Sequence, residues 1–111
     1  MIERVVVFGS APIARLGAAD LLLQAGIPCS RGTDLRGVGA VVIQLDDPGM
    51  RRRLSAVRRA SPRAAVVAVG VDRPVLRVAR RPSWLAVWAA RDQPLTAAAF
   101  VDAVAAALMG P

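Results

Sequence analysis

Residues 40–45 form the apolar run Ala40-Val41-Val42-Ile43-Gln44-Leu45, which ends in the polar turn of residues 46–49. Continuous β-branched character over such a length is typical of a buried strand in the centre of a parallel sheet. Residues 4–8 and 64–69 form similar runs on either side of it in the sequence. The segments between these runs repeat apolar residues at helical spacing, so the chain is predicted to be an α/β protein.

This alternation predicts a doubly wound, five-stranded parallel sheet with right-handed crossovers, in a single domain of residues 1–111. The second and fourth helices are predicted to be short. Functional residues are expected where the carboxyl ends of the strands meet the loops. The predicted strands are residues 4–8, 27–30, 40–45, 64–69 and 84–88, and the predicted helices are residues 12–26, 32–37 as a single turn, 50–61, 74–81 and 96–108.

Composition limits the chemistry that the chain can perform. It has one cysteine, Cys29, and no histidine, which excludes a disulfide framework, a Cys/His zinc site and an imidazole base. All 15 basic residues are arginine, so a lysine Schiff base and a phosphate-loop lysine are excluded as well. No cofactor or metal is therefore expected, and an enzymatic function is not predicted.

The net charge of +7 gives only a weak indication of partners. On a helical wheel the side opposite Met50, Leu54 and Val57 is taken by Arg51, Arg52, Arg58 and Arg59, which are predicted to form a solvated face. No helix-turn-helix spacing is present, and direct contact with nucleic acid is not expected. The apolar runs are too short to cross a bilayer, and the chain begins without a signal-peptide core, which favours a cytoplasmic location.

A candidate pocket follows from the predicted topology, because the carboxyl ends of parallel strands meet at one edge of the sheet. The residues predicted at this edge are Gly9, Ser10, Gln44, Leu45, Asp46, Gly70 and Arg91.

Three stretches resemble the receiver domain of response regulators of the NarL/LuxR type. Residues 6–17, VVFGSAPIARLG, are similar to the opening of that domain, and residues 41–50, VVIQLDDPGM, resemble its phosphoacceptor strand and loop. Residues 88–96, WAARDQPLT, resemble the stretch before its last helix. The resemblance extends over essentially all 111 residues and implies a flavodoxin-like, CheY-like version of the predicted sheet.

The resemblance also implies a degenerate pocket, called a pseudo-receiver. Gly9 and Ser10 stand where the family has its acidic pair, and Gly70 stands at the switch threonine or serine. Gln44, counting back from Pro48, or Leu45, counting forward from Val41, stands at the phosphoacceptor aspartate. Trp88 matches the switch aromatic and Arg91 the lysine.

Phosphoryl transfer to a carboxylate needs an aspartate and acidic Mg²⁺ ligands, so these replacements predict a phosphorylation-independent regulatory domain in signal transduction. Asp46 leaves open a rescue through a shifted register. Receivers of this class usually precede a DNA-binding helix-turn-helix, which implies such a domain in the full gene product of a transcription regulator.

Two alternatives remain open from the residues. A small anionic metabolite could bind the vacated pocket beside Arg91. Residues 9–14, with Gly9, Ala11 and Ala14, form a degenerate dinucleotide fingerprint, in which the two alanines limit the approach of a pyrophosphate.

Protein contact is the expected output of the domain, and a homodimer is the expected partner state. The last predicted helix is rich in alanine and has Asp102 as its single charge, which favours burial on two sides. The candidate interface residues are Phe100, Val101, Val104, Leu108 and Trp84.

Overall fold

The computed structural model describes residues 4–8, 17–30 and 34–109. The described strands are β1 (Arg4–Val7), β2 (Cys29–Ser30), β3 (Val38–Gln44), β4 (Ala65–Val69), β5 (Val75–Ala79) and β6 (Gln93–Pro94). The described helices are α1 (Ala18–Gln24), α2 (Met50–Ala60), α3 (Trp84–Ala89) and α4 (Ala97–Met109). The predicted start of the first helix at Pro12 lies outside the described residues.

The described strands form one sheet in the order β2-β1-β3-β4-β5-β6. Strands β2, β1, β3 and β4 are parallel, and Val41 of β3 lies between Val6 of β1 and Val66 of β4. Every residue of β4 is buried, as is every residue of β3 before Gln44. The apolar runs at residues 4–8, 40–45 and 64–69 therefore form the centre of the sheet, as predicted.

Helices cover both faces of the sheet. On one face, Leu22 of α1 packs in a core with Phe100 and Val104 of α4. On the other face, Leu54 of α2 and Val87 of α3 form a second core. The result is a three-layer arrangement with the sheet in the middle.

Local signals in the sequence set the helix ends correctly in two places. Gly26 follows α1 with φ of +76°, a conformation that favours glycine and stops the helix. The N–H of Ala99 donates to Thr96 Oγ1 at 3.0 Å, so Thr96 caps α4 as predicted. The predicted solvated face of α2 is confirmed too, since its exposed arginines are Arg51, Arg52, Arg58 and Arg59.

The prediction of a five-stranded, all-parallel flavodoxin-like sheet is wrong. The sheet has six described strands, and β5 pairs antiparallel with both β4 and β6. The predicted helix at residues 74–81 is strand β5, and the predicted strand at residues 84–88 is helix α3. Of the predicted turn of helix at residues 32–37, the described residues 34–37 contain no helix.

The physical reason for the difference is a tight reversal after β4. The N–H of Gly70 donates to the carbonyl of Val75 at 2.8 Å, which turns the chain back beside β4. Val69 then lies opposite Leu76, and β5 satisfies the backbone hydrogen bonds of β4 that a crossover helix would have left to another strand.

Within the described residues, no helix is both long enough and apolar enough to span a membrane.

We expect Gly70→Ala to lower the free energy of unfolding by about 1–3 kcal/mol, because a side chain there overpacks the reversal. A Cβ atom at Gly70 would lie 2.5 Å from the carbonyl oxygen of Arg73 and 2.8 Å from Val75 Cγ2. Gly49→Ala is the matched control, since its Cβ would meet the side chains of Arg53 and Asp47 at an ordinary 3.4 Å. Urea denaturation measures both variants, and equal stability of Gly70→Ala and the wild type would contradict this account.

Candidate functional site

The carboxyl ends of β3 and β4 are adjacent, as the sequence predicts. The N–H of Leu45 donates to the carbonyl of Val69 at 2.8 Å, which holds the residue after β3 against the end of β4. Gln44, Leu45, Asp46 and Gly70 are thereby brought to one edge of the sheet. Gly9 and Ser10 lie outside the described residues.

Gln44 and Asp46 are joined to each other at this edge. Gln44 Nε2 donates to Asp46 Oδ1 at 2.7 Å, and the Asp46 side chain is exposed. An amide in contact with the carboxylate supplies a hydrogen-bond donor where a phosphoacceptor site would need a second anionic oxygen.

Asp47 lies deeper and is paired with a cation. Its Oδ1 accepts a hydrogen bond from the N–H of Gly49 at 2.8 Å, and its Oδ2 lies 3.0 Å from Arg53 Nη1. The Asp47 side chain is only 11% exposed. The Arg53 guanidinium also lies over the ring of Phe8, at 5.4 Å from its centroid, so Arg53 connects the ends of β1 and β3.

Arg53 is absent from the predicted site, although a helical wheel sets it beside Val57 and apart from the four arginines of the solvated face. Two features of the sequence could have identified it. Asp47 precedes α2 where an acidic side chain can bond the first N–H groups, and Arg53 lies one turn along the same helix. A long guanidinium at that position reaches back to the carboxylate.

Arg91 precedes β6, which β5 separates from β4 in the sheet. It lies between α3 and β6, two residues before Gln93, which is opposite Leu76 and hence level with Val69. Gly70 follows its strand, whereas Arg91 precedes its own. Arg91 is exposed and makes no ion pair with any described residue.

The described carboxylates at this edge are not grouped with one another. The described residues contain no cluster of three or more His, Cys, Asp or Glu side chains that could hold a metal ion. The two carboxylates that follow β3 already contact an amide and a guanidinium. Oxygen ligands in excess of cations, which Mg²⁺ requires, are not assembled in this part of the chain.

A second group of side chains lies on α3 and its neighbours. The indoles of Trp84 and Trp88 are stacked, with centroids 5.5 Å apart and planes inclined by 12°. The guanidinium of Arg51 lies 3.9 Å over Trp84, and that of Arg77 lies 6.0 Å over Trp88. We call these four residues the Arg–Trp column. Their four-residue spacing places both tryptophans on one side of a helix, where the sequence analysis predicted one face of a strand.

Asp92 holds Arg77 in the Arg–Trp column. Arg77 Nε donates to Asp92 Oδ1 at 2.6 Å, and Arg73 Nη2 lies 3.2 Å from Asp92 Oδ2. The hydrogen bond from Arg77, together with the charges of Arg77 and Arg73, holds the pKa of Asp92 below its usual range. Asp92 therefore remains an anion that fixes Arg77 beside Trp88 over a wide range of pH.

The candidate interface residues divide between the core and the surface. Phe100 and Val104 are buried against the sheet, and Val101, Leu108 and Trp84 are half-buried. On α3, Leu85 is 69% exposed and Trp88 is 66% exposed. Exposed apolar side chains that lie next to each other form a patch, and such patches mark surfaces that contact other molecules.

Comparisons of the chain with protein-family models, with curated proteins and with solved structures give no match.

We expect Asp92→Asn to lower the melting temperature at pH 7 and to have progressively less effect below about pH 4. A lowered pKa contributes stability above the unfolded-state pKa, and this contribution disappears as the pH falls through the folded-state pKa. Thermal melts at pH 7 and at about pH 3 measure the difference in melting temperature between variant and wild type. Asp72→Asn is the control, because Asp72 is exposed and has no ion pair among the described residues. An Asp92→Asn effect that persists unchanged at pH 3 would contradict the assignment.

Proposed function

We propose that this chain is a regulatory domain of the response-regulator type that acts by protein contact and without phosphoryl transfer. The observation that carries the proposal is the exposed apolar surface of α3, where Leu85 and Trp88 face solvent beside an ordered Arg–Trp column. Tryptophan and arginine are the residues most often found at the centre of protein interfaces. The resemblance of residues 88–96 to receiver domains supports the same function.

The contacts at the end of β3 support independence from phosphorylation. Gln44 donates a hydrogen bond to Asp46, and Arg53 forms an ion pair with Asp47. Neither carboxylate is therefore presented to a Mg²⁺ ion as part of an acidic cluster. A domain with such an edge has no chemical switch there, and its contacts with partners have to be available in its resting state.

Sensing of a small anion beside Arg91 receives less support. That function requires Arg91 near Gln44 and Gly70, whereas strand register places it before β6. Nucleotide binding depends on residues 9–14, which lie outside the described residues.

The outward side of α4 is the proposed contact with a second copy of the chain. Ala98, Ala106 and Met109 are exposed there, and Asp102 is the only charged residue of the helix. A nearly uncharged helix face can meet an identical face without electrostatic repulsion. We place the domain in the cytoplasm, joined in the full gene product to a DNA-binding domain that such dimerisation would pair.

We expect no phosphoryl group to be transferred to the protein from acetyl phosphate in the presence of Mg²⁺. The reason is the neutralised carboxylate pair described above, and intact-mass spectrometry measures the outcome. A labile gain of one phosphoryl group that disappears in Asp46→Asn or Asp47→Asn would refute the proposed mechanism, since it would locate an acceptor at the end of β3.

We expect the protein to sediment as a dimer at micromolar concentration and Ala98→Arg or Ala106→Arg to shift it to monomer, because the long side chain would overpack a contact made of alanines and its guanidinium would lose water there. Ala60→Arg is the matched control, since Ala60 is an exposed helical alanine on α2, across the sheet. Sedimentation velocity with and without acetyl phosphate measures the state. A monomer at all concentrations, or equal dimerisation of all three variants, would contradict α4 as the contact.

A further inference from the structure

The Arg–Trp column is an ordered surface before any partner arrives. Each indole has a neighbouring indole stacked on it and a guanidinium over it, and Asp92 holds Arg77 by a 2.6 Å hydrogen bond. Long side chains normally lose rotamer freedom when an interface forms. The side chains of the Arg–Trp column are already held by one another, so a partner that binds them loses less of its binding free energy to side-chain ordering.

The exposed part of this surface is apolar. Leu85 and Trp88 are three residues apart on α3, which places them next to each other on its outer side. They are the two large hydrophobic residues of α3 that are more than half exposed. A partner therefore needs an apolar side chain of its own to cover them.

The surroundings of this surface are strongly positive. Every ionisable side chain of α2 is an arginine, and none of its four exposed arginines makes an ion pair with a described residue. Arg80 and Arg81, just before α3, are likewise exposed. A second copy of the chain would bring the same positive charge to the contact, so this face repels its own kind and favours an acidic partner.

We infer that the Arg–Trp column, with Leu85 beside it, is a docking site for an acidic protein segment that carries large apolar side chains. This inference rests on the proposed function by protein contact and adds the chemical class of the partner. The apolar side chains would cover Leu85 and Trp88, and the carboxylates would accept hydrogen bonds from Arg51, whose guanidinium presents its N–H groups around a planar edge.

The arrangement of the rings favours a protein segment over single-stranded nucleic acid. Bases bind such surfaces by stacking on open aromatic faces. Trp84 is covered by Arg51 at 3.9 Å and by the stacked Trp88, so the exposed part of the column is the remainder of Trp88 beside Leu85. Leu85 offers nothing to a phosphate, whereas it matches an apolar side chain.

Fluorescence anisotropy with the full chain tests the inference. The probe is a fluorescein-labelled synthetic peptide in which glutamate alternates with leucine and phenylalanine, compared with the same peptide carrying glutamine for glutamate and with one carrying serine for leucine and phenylalanine. We expect the acidic apolar peptide to bind at least about tenfold more tightly than either comparison peptide, and Trp88→Ala, Leu85→Ala and Arg51→Gln each to weaken it by about tenfold.

Two matched controls separate this site from general attraction. Leu23→Ala removes a leucine that is 70% exposed on α1, across the sheet, and Arg63→Gln removes an exposed arginine outside the column. Both should retain the wild-type affinity. Because Leu85 and Trp88 are exposed, their alanine variants should fold, and thermal melts verify this.

Equal weakening by Arg51→Gln and Arg63→Gln, or unchanged binding by Trp88→Ala, would overturn the inference. Tighter binding of a fluorescein-labelled oligothymidylate that depends on Trp88 would overturn it in favour of nucleic acid. If the peptide fails while Ala98→Arg still dissociates a dimer, the acidic partner is wrong and the proposed function by protein contact remains. If the peptide does not bind and Ala98→Arg does not change the oligomeric state, both the acidic docking site and the proposed function by protein contact are refuted.

Discussion

The reversal of the chain after β4 determines which surfaces this domain presents to other molecules. Gly70 has no side chain, so its N–H reaches the carbonyl of Val75 and β5 returns along the edge of β4. With that edge filled, α3 lies over β5 on the outer part of the sheet, and the chain then enters β6, whose first residue, Gln93, is level with Val69 at the end of β4. The reversal, with its hydrogen bond of 2.8 Å, thus puts β5 between β4 and the strand that follows Arg91, and it precedes the helix on which Trp88 is exposed.

The centre of this fold could be predicted from the sequence, and its margin could not. Strands β3 and β4 are apolar at nearly every position, and α2 alternates buried and charged residues at a clear helical period, so both patterns have one interpretation. Residues 75–79 and 84–88 are five-residue apolar segments that fit either a strand or a helix by period alone. Hydrogen bonds to β4 make residues 75–79 a strand, and the helix at residues 84–88 packs Val87 in the second core; both are tertiary effects. The same limit applies to the site, because the pairing of Asp47 with Arg53 depends on how α2 meets the sheet.

The helices on the two faces of the sheet differ in charge. The α2 and α3 side carries arginines and exposed tryptophan, whereas α4 carries a single aspartate among alanines. Two acidic residues form ion pairs with nearby arginines: Asp47 pairs with Arg53, and Asp92 pairs with Arg77 and Arg73. The exposed arginines of α2 thus lie on the same side of the sheet as the exposed apolar residues of α3, and long-range attraction and short-range contact act in the same place.

The two outermost strands are only two residues long, and this affects how the molecule survives at high concentration. A sheet with a long, open margin recruits strands from neighbouring molecules and grows into insoluble fibres. Within the described residues β2 consists of Cys29 and Ser30 alone, and β6 ends in Pro94, which has no N–H to donate. A chain that is 55% hydrophobic therefore gives a neighbouring strand little template to extend, and assembly is directed to helix surfaces, where side-chain chemistry can choose the partner.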